Sequence, residues 1–281
     1  MKKTTCIRLW TLALATLLCA LALTGCKALT PEQQLQSAME KLQKITSMEA
    51  TMTMTLSMDL MGQQVDAKAV SQMTSFQQPS KVKMEVAAEV AGEKGGSVIY
   101  AQQDGGTLTT YTYDGATWTR KTLTATDMQG ALQQVDPKAA LDLYLGNLSS
   151  FTAGVETLNG VECYKLQGVL TGEALVDAMR ASGALDSVDP TLQDSEQLGR
   201  LLSGLGDLPI CVWIEKKTLY PVQYTMDMTA LMDSLMDNML AELGDTSGLL
   251  QVGIRNCQVE MVCTNFNKAT DFDIPAEALA S

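Results

Sequence analysis

Residues 48–60 read Met-Glu-Ala-Thr-Met-Thr-Met-Thr-Leu-Ser-Met-Asp-Leu, and this stretch decides the fold. An apolar side chain occupies every second position, and Glu, Thr, Ser or Asp occupies each position between. Because this pattern repeats every two residues, alternate side chains would lie on opposite faces of a β-strand. The stretch therefore predicts one long strand with a buried apolar face and a polar face, the pattern typical of an antiparallel sheet.

The same alternation extends along most of the chain. Turns are predicted at Met61-Gly62, 78–80, Gly105-Gly106, Asp114-Gly115, Asn159-Gly160 and 217–219, and Gly95-Gly96 is expected to open a strand rather than lie within one. Later strands are predicted over 152–157, 161–169, 210–216, 220–228 and 251–264. Because long strands twist and curl when many are joined, we predict an α+β fold: one curved antiparallel sheet of about eleven strands, an incomplete barrel.

Helices are predicted to cover the apolar face of this sheet. Thr30-Pro31-Glu32-Gln33 predicts a helix start, with Thr30 as N-cap and Gln33 completing a capping box. Later helices are predicted after Asp136-Pro137 and over 171–180, 197–202 and 231–243. On the last of these, Asp233 and Asp237 are assigned to a solvated helix face rather than to a catalytic pair.

The N-terminus has the parts of an export signal. Three basic residues precede the apolar run 9–23, which is too short for a comfortable membrane span. Leu23-Thr24-Gly25-Cys26 then resembles the lipobox of bacterial lipoproteins, in which the cysteine thiol receives a diacylglycerol and the chain is cut before it. This resemblance implies a signal peptide over 1–25, a lipidated Cys26 with a short tether over 26–30, and a single domain over 31–281.

The resemblance also implies where the protein works. The domain would be held by an acyl (palmitate) anchor at the extracytoplasmic face of the cell membrane, with the diacylglycerol on Cys26 as its membrane partner. An ordinary signal peptide or a short N-terminal anchor is the alternative, but neither requires a cysteine directly after Gly25.

Charge and composition exclude several classes of function. Three of the 20 basic residues lie in the signal, so 17 remain against 32 acidic residues, a formal charge of −15. This balance excludes a basic surface for nucleic acid. The absence of histidine removes the commonest general base and most zinc or copper sites. We therefore predict no enzyme activity, no metal and no cofactor.

Four cysteines follow Cys26, namely Cys163, Cys211, Cys257 and Cys263. An even number in an exported, oxidising setting permits disulfides. Six residues on one strand would separate Cys257 from Cys263 by about 20 Å, beyond disulfide reach. Two readings stay open: Cys163 pairs with one of these two and Cys211 with the other, or all four are buried free thiols.

The order of these features resembles the LolA-like fold of bacterial lipoproteins, in its LppX–LprG-like branch with Gram-positive relatives. The resemblance rests on the lipobox, the first amphipathic helix, the long meander, the inserted helices and the hairpin that ends in Leu219-Tyr220-Pro221-Val222. It implies helices on the concave face of the curved sheet and an apolar cavity between, in which members bind acyl chains.

Methionines are the main candidates for contacting a ligand there. Met is flexible and polarizable, and it suits a surface that adapts to varied apolar shapes. The cavity candidates share predicted apolar faces and are Met52, Met54, Leu56, Met58, Met84, Val86, Met226, Met228, Met232, Leu235, Met236 and Met239. A further hypothesis makes the helix over 231–243 a lid, with a fixed helix as its alternative.

Two functions therefore remain from the sequence. The first is a membrane-anchored lipoprotein that binds a lipid or another apolar molecule in the sheet–helix cavity. The second is a structural or protein-interaction lipoprotein of the envelope, whose core is filled by its own side chains.

Overall fold

The computed structural model describes residues 29–123, 138, 145–181, 200–242 and 252–281. The predicted signal peptide and Cys26 lie outside the described residues, as do Asp136-Pro137 and the beginning of the predicted helix over 197–202. Within the described residues, no helix has both the length and the apolar character needed to cross a membrane.

Eleven strands form one antiparallel sheet. They are β1 (Ser47–Leu60), β2 (Gln63–Gln77), β3 (Ser80–Val90), β4 (Glu93–Asp104), β5 (Thr107–Tyr113), β6 (Trp118–Leu123), β7 (Ser149–Leu158), β8 (Val161–Leu170), β9 (Leu208–Glu215), β10 (Pro221–Asp227) and β11 (Val252–Thr264). Their order in the sheet is β6-β5-β4-β3-β2-β1-β11-β10-β9-β8-β7. The predicted antiparallel sheet of about eleven strands is confirmed, and it is open, with β6 and β7 at its edges.

The path of the chain explains this order. From β1 in the middle, successive hairpins lead outward to the edge strand β6. The chain then passes to the other edge at β7, and successive antiparallel strands lead back until β11 pairs with β1. The expectation that Gly95-Gly96 opens a strand is wrong: the chain turns at Ala91-Gly92, and both glycines lie inside β4.

Four helices accompany the sheet among the described residues: α1 (Pro31–Leu42), α2 (Gly172–Ala181), α3 (Thr229–Glu242) and α4 (Ala276–Leu279). The capping box of α1 is confirmed, because the Thr30 hydroxyl accepts from Gln33 N at 3.3 Å and Thr30 N donates to Gln33 Oε1 at 3.0 Å. Leu35, Ala38 and Leu42 of α1 are buried, and the helix lies beside β7, β8 and β9.

The two faces of the sheet can be told apart by register, since residues directly opposite each other on paired strands point the same way. Met52 on β1 lies opposite Ser71 on β2 and opposite Met261 on β11. We call this side the core face, because the main hydrophobic cluster, which contains Met261 and residues of α1, lies on it. The other side is called the outer face.

The chain from residue 265 to 275, here called the C-terminal strap, crosses the outer face. Lys81 Nζ lies 2.6 Å from Asp271 Oδ1 and donates to the Phe272 carbonyl at 2.8 Å. The Phe272 ring lies 5.8 Å from the ring of Tyr100 on β4, and beyond it α4 buries Ala278 against the same small cluster. The strap and α4 thereby cover β4, β5 and β6, the strands furthest from the main core.

Three hairpins turn through two consecutive residues with positive φ. These pairs are Met61-Gly62 (53° and 81°), Ala91-Gly92 (51° and 87°) and Asn159-Gly160 (50° and 83°). Positive φ at both positions is the geometry of the type I′ turn, which matches the twist of the flanking strands. Only Asn159 is a residue type that visits this region readily, whereas the side chains of Met61 and Ala91 oppose it.

Replacing Ala91 with Asn is therefore expected to stabilise the protein, by about 0.5–1 kcal/mol, because Asn adopts the left-handed conformation at lower cost. Urea unfolding would measure the change. Ala87→Asn is the matched control, since Ala87 is also exposed but lies in the regular part of β3, where Asn is unfavourable. Equal or lower stability of the Ala91 variant would show that the backbone conformation at Ala91 does not limit stability.

Candidate apolar binding surface

The core face of β1, β2 and β3 carries no charged residue. All eight charged residues of these strands lie on the outer face: Glu49, Asp59, Asp66, Lys68, Lys81, Lys83, Glu85 and Glu89. The core face presents Met, Leu, Val, Ala and Ser at the alternating positions, with Gln only at the ends of β2. An uncharged surface of this kind favours apolar groups and offers no partner to an ion.

Burial on this face falls steadily along the strands. At the start of β1, Met48 and Ala50 are 0 and 3% exposed and belong to the main core. The next core-face residues, from Met52 to Met58, are only half-buried, and Leu60 at the end is 42% exposed. Val90, at the neighbouring hairpin tip, is 50% exposed. The core face is therefore filled at one end and open toward the hairpin tips.

The sequence candidates divide between these two regions. Those that belong to the main hydrophobic cluster or pack against it are Met52, Met54, Met84, Met226, Met228 and Leu235. Of these, only Met226 is fully buried, at 6% exposure. The remaining candidates are half-buried, namely Leu56, Met58, Val86, Met232 and Met236, except for Met239, which is 41% exposed. The structure thus brings together half of the set, around the border between the filled and the open region.

Smaller core-face residues beside the methionines were not anticipated. Ser71 on β2 lies opposite both Met52 and Val86, and Val86 lies opposite Ser97 on β4. Gly95 lies opposite Ala88. A count of alternate positions through β4 would have found Ser97 and Gly95, had the strand been expected to begin at Glu93. These small side chains leave room beside the row of long ones on β1.

Helix α3 is attached to β11 where the ladder with β10 ends. Met228 N donates to the Cys257 carbonyl at 2.8 Å, and Cys257 N donates to the Thr229 hydroxyl at 2.9 Å. Near its other end, Asn238 Nδ2 donates to the carbonyls of Leu201 and Ser203, both at 2.9 Å. Contacts at both ends favour the fixed-helix alternative over a lid that swings as a whole.

Asp233 has a structural role that the sequence did not predict. Its Oδ1 accepts a hydrogen bond from Ile254 N at 2.9 Å, which satisfies a backbone donor of β11 beyond the end of β10. The prediction of a solvated Asp233 is therefore wrong, whereas Asp237 is exposed as expected. Within the described part of the chain, no group of three or more His, Cys, Asp or Glu side chains could hold a metal ion.

The four cysteines are free thiols. Cys257 and Cys263 lie opposite Leu56 and Ala50 and so belong to the core face. Cys163 and Cys211 belong to the outer face: Cys211 lies opposite Thr225, which in turn lies opposite Glu260. Of the two readings left open, the free thiols agree with the structure, because each of the considered disulfides would have to join opposite faces of one sheet. Burial raises the pKa of the Cys263 thiol to about 12 and also raises the pKa of Cys257.

The comparisons with known proteins find similarity in structure alone. No protein-family model and no curated protein matches the sequence. Among solved structures, the chain is similar to the lipoprotein LppX of Mycobacterium tuberculosis, with 12% identity over 85% of this chain and 96% of that one and a TM-score of 0.46. It is also similar to LprF of Mycobacterium bovis, with 17% identity, coverage of 88 and 97%, and a TM-score of 0.44.

A DUF1329 family protein of Desulfovibrio piger is similar at a lower TM-score of 0.28, with 10% identity and coverage of 86 and 94%. The similarity to LppX and LprF is a similarity of fold, and it agrees with the predicted resemblance to the LppX–LprG-like lipoproteins.

Peptide mapping after alkylation should find all four thiols modified when the protein is unfolded without reductant. In the folded protein, Cys257 and Cys263 should react much more slowly than in the unfolded chain, because burial keeps them protonated and inaccessible. Cys211, which is half-buried, serves as the internal comparison. A disulfide-linked peptide containing Cys163 and either Cys257 or Cys263 would contradict the register of the sheet.

Proposed function

We propose that this protein is an extracytoplasmic lipoprotein, anchored to the cell membrane through a diacylglycerol on Cys26, that binds the acyl chain of a lipid on the core face. The observation that carries the proposal is the uncharged, half-buried surface that runs from Met52 toward the hairpin tips. A partly exposed apolar surface of this extent, separated so fully from charge, is typical of a site that receives an apolar partner.

Energetics favour a long guest over a short one. Full burial of a Met, Leu or Val side chain contributes roughly 1.5–3 kcal/mol, so completing the burial of a half-buried one adds about 1 kcal/mol. Half a dozen such residues would only just offset the lost freedom of a bound molecule, which costs about 4 kcal/mol or more. A long acyl chain adds about 0.8 kcal/mol for each buried CH₂ group, which makes binding favourable.

A diacylglycerol anchor would hold the protein at the membrane without the need for a basic protein surface. The acidic charge of the chain opposes docking onto anionic lipid by electrostatics. Acyl groups on Cys26 bind the bilayer through their apolar area instead. Because the anchor is attached at Cys26, the core face would remain available as a separate binding site for an acyl chain.

Cys26→Ala is expected to abolish labelling by a radioactive or clickable palmitate analogue and to release or mislocalise the protein. A Ser variant of Cys19, which lies in the apolar run of the signal, is the matched control and should be labelled normally. Undiminished labelling of the Cys26 variant would exclude lipidation at this residue.

Met54→Asp is expected to lower the affinity for a fluorescent long-chain fatty acid at least about tenfold, because a guest would bury the new carboxylate without a partner. Thr53→Asp is the matched control: it adds the same charge at the next position of β1 but on the opposite, outer face. Far-UV spectra and urea midpoints would show that both variants fold.

Equal affinity of the Met54 and Thr53 variants would remove the core face from the binding site. Native mass spectrometry of protein purified from its own host gives an independent reading. A co-purified lipid supports the proposal, whereas a protein that neither carries lipid nor takes up the probe would instead be the structural lipoprotein with a filled core.

A further inference from the structure

A hollow of about 350 Å³ lies on the outer face of the sheet, across β2, β3, β4 and β5. Its lining side chains belong to two rows of cross-strand neighbours. One row runs through Gln72, Glu85, Val98 and Tyr113, and the adjacent row runs through Val70, Ala87 and Gly96. Because the core face points the other way, this hollow is separate from the proposed acyl site.

The backbone keeps the hollow open. Ala87 has a small side chain, and a Cβ at Gly96 would lie only 2.7 Å from the Val86 carbonyl oxygen. That oxygen belongs to the backbone and cannot move aside as a flexible side chain would, so position 96 accepts only glycine. The depression between Val70 and Val98 is therefore a fixed part of the sheet.

One wall of the hollow is held rigidly before any ligand arrives. The Tyr113 hydroxyl donates to the Gly115 carbonyl at 3.0 Å, which ties the ring to the turn that follows β5. The Tyr113 ring also lies 5.1 Å from the Trp118 ring, and Trp118 lies 6.0 Å from Tyr100, which packs on the C-terminal strap. An aromatic wall fixed from several sides loses little freedom when it contacts a guest.

The polar groups of the lining favour a cation. Glu85 is the sole charged residue of the lining, and its carboxylate is exposed. Lys83 Nζ lies 2.8 Å from Glu85 Oε1 and offsets part of this negative charge, while the carboxylate has a second oxygen that can accept from another donor. Gln72, beside Glu85 in the same row, can add a further hydrogen bond. The strongly acidic chain as a whole attracts cations and repels anions.

We propose that the hollow is a second binding site, for a small molecule with an apolar or aromatic body and a protonated amine. The body lies on Val70, Ala87 and Val98 beside the Tyr113 ring, and the ammonium group lies at Glu85 and Gln72. A volume of about 350 Å³ is at the lower end for ligand sites, so the guest is small. This second site does not depend on the proposed acyl binding on the core face.

Phenethylamine tests the site, by ligand-observed NMR titration of the purified full-length lipoprotein with a protein-free detergent blank. Its neutral and anionic analogues, 2-phenylethanol and phenylacetate, are titrated in parallel. The amine is expected to bind with a dissociation constant on the order of 1 mM, the alcohol more weakly, and the carboxylate not at all. Equal binding of amine and carboxylate, or no binding of the amine, would overturn the proposal.

Two variants locate the binding within the hollow. Glu85→Gln should weaken amine binding by about three- to fivefold, as expected for a solvent-exposed charge pair. Glu89→Gln, on the same strand and the same face but outside the lining, should leave the affinity unchanged. The same affinity in both variants would remove Glu85 from the site.

Ala87→Phe fills the hollow and should abolish amine binding. Because Ala87 lies on the outer face, uptake of the fatty-acid probe should be unaffected in this variant. Amine binding that survives in Ala87→Phe would place the amine elsewhere and overturn the proposal. A failure of fatty-acid uptake in the unmodified protein, by contrast, would contradict only the acyl site.

Discussion

The ladder between β1 and β11 is the interaction on which the rest of the structure depends. Each half of the chain builds its own run of antiparallel strands, and β1 lies where the two runs meet. β1 pairs along nearly its whole length with β2 on one side and β11 on the other. Partners such as Ala50 and Cys263 lie more than two hundred residues apart in sequence. Closing so long a loop costs entropy, which the length of the ladder and the main core beside it must offset.

The position of β1 in the middle also explains why its alternation matters so much. A slip of one residue would turn Glu49 and Asp59 onto the core face, together with the threonines between them. A slip of β2 or β3 would in the same way turn Lys68 or Glu85 onto that face, at a cost of several kcal/mol for each unpaired charge that is buried. The charges therefore fix the register, and the same separation of charge leaves an uncharged surface beside the core. One constraint thus serves both folding and the proposed function.

Local signals in the sequence predicted the elements of this fold well, and the contacts between distant elements poorly. The Thr30 cap and the hairpin at Asp114-Gly115 depend on a few adjacent residues, and both formed as predicted. The C-terminal strap on Lys81 and the hydrogen bond from Ile254 to Asp233 depend on which strands become neighbours. The faces of the cysteines were out of reach for the same reason, because the face of Cys211 follows from its place opposite Thr225 and that of Cys257 from its place opposite Leu56.

The types of side chain on the core face explain how this face could accept a guest although hydrogen bonds attach α3 at both ends. On β9, Ile210, Val212 and Ile214 are stiff β-branched side chains, and all three are 2% exposed or less. On β1, the corresponding face carries Met52, Met54 and Met58, which are unbranched and half-buried. Stiff side chains thus fill the closed part of the core, and flexible ones line the open part. Rearrangement of Met rotamers costs far less than displacement of a hydrogen-bonded helix, so adaptation to a guest belongs to the side chains of β1 rather than to a movement of α3.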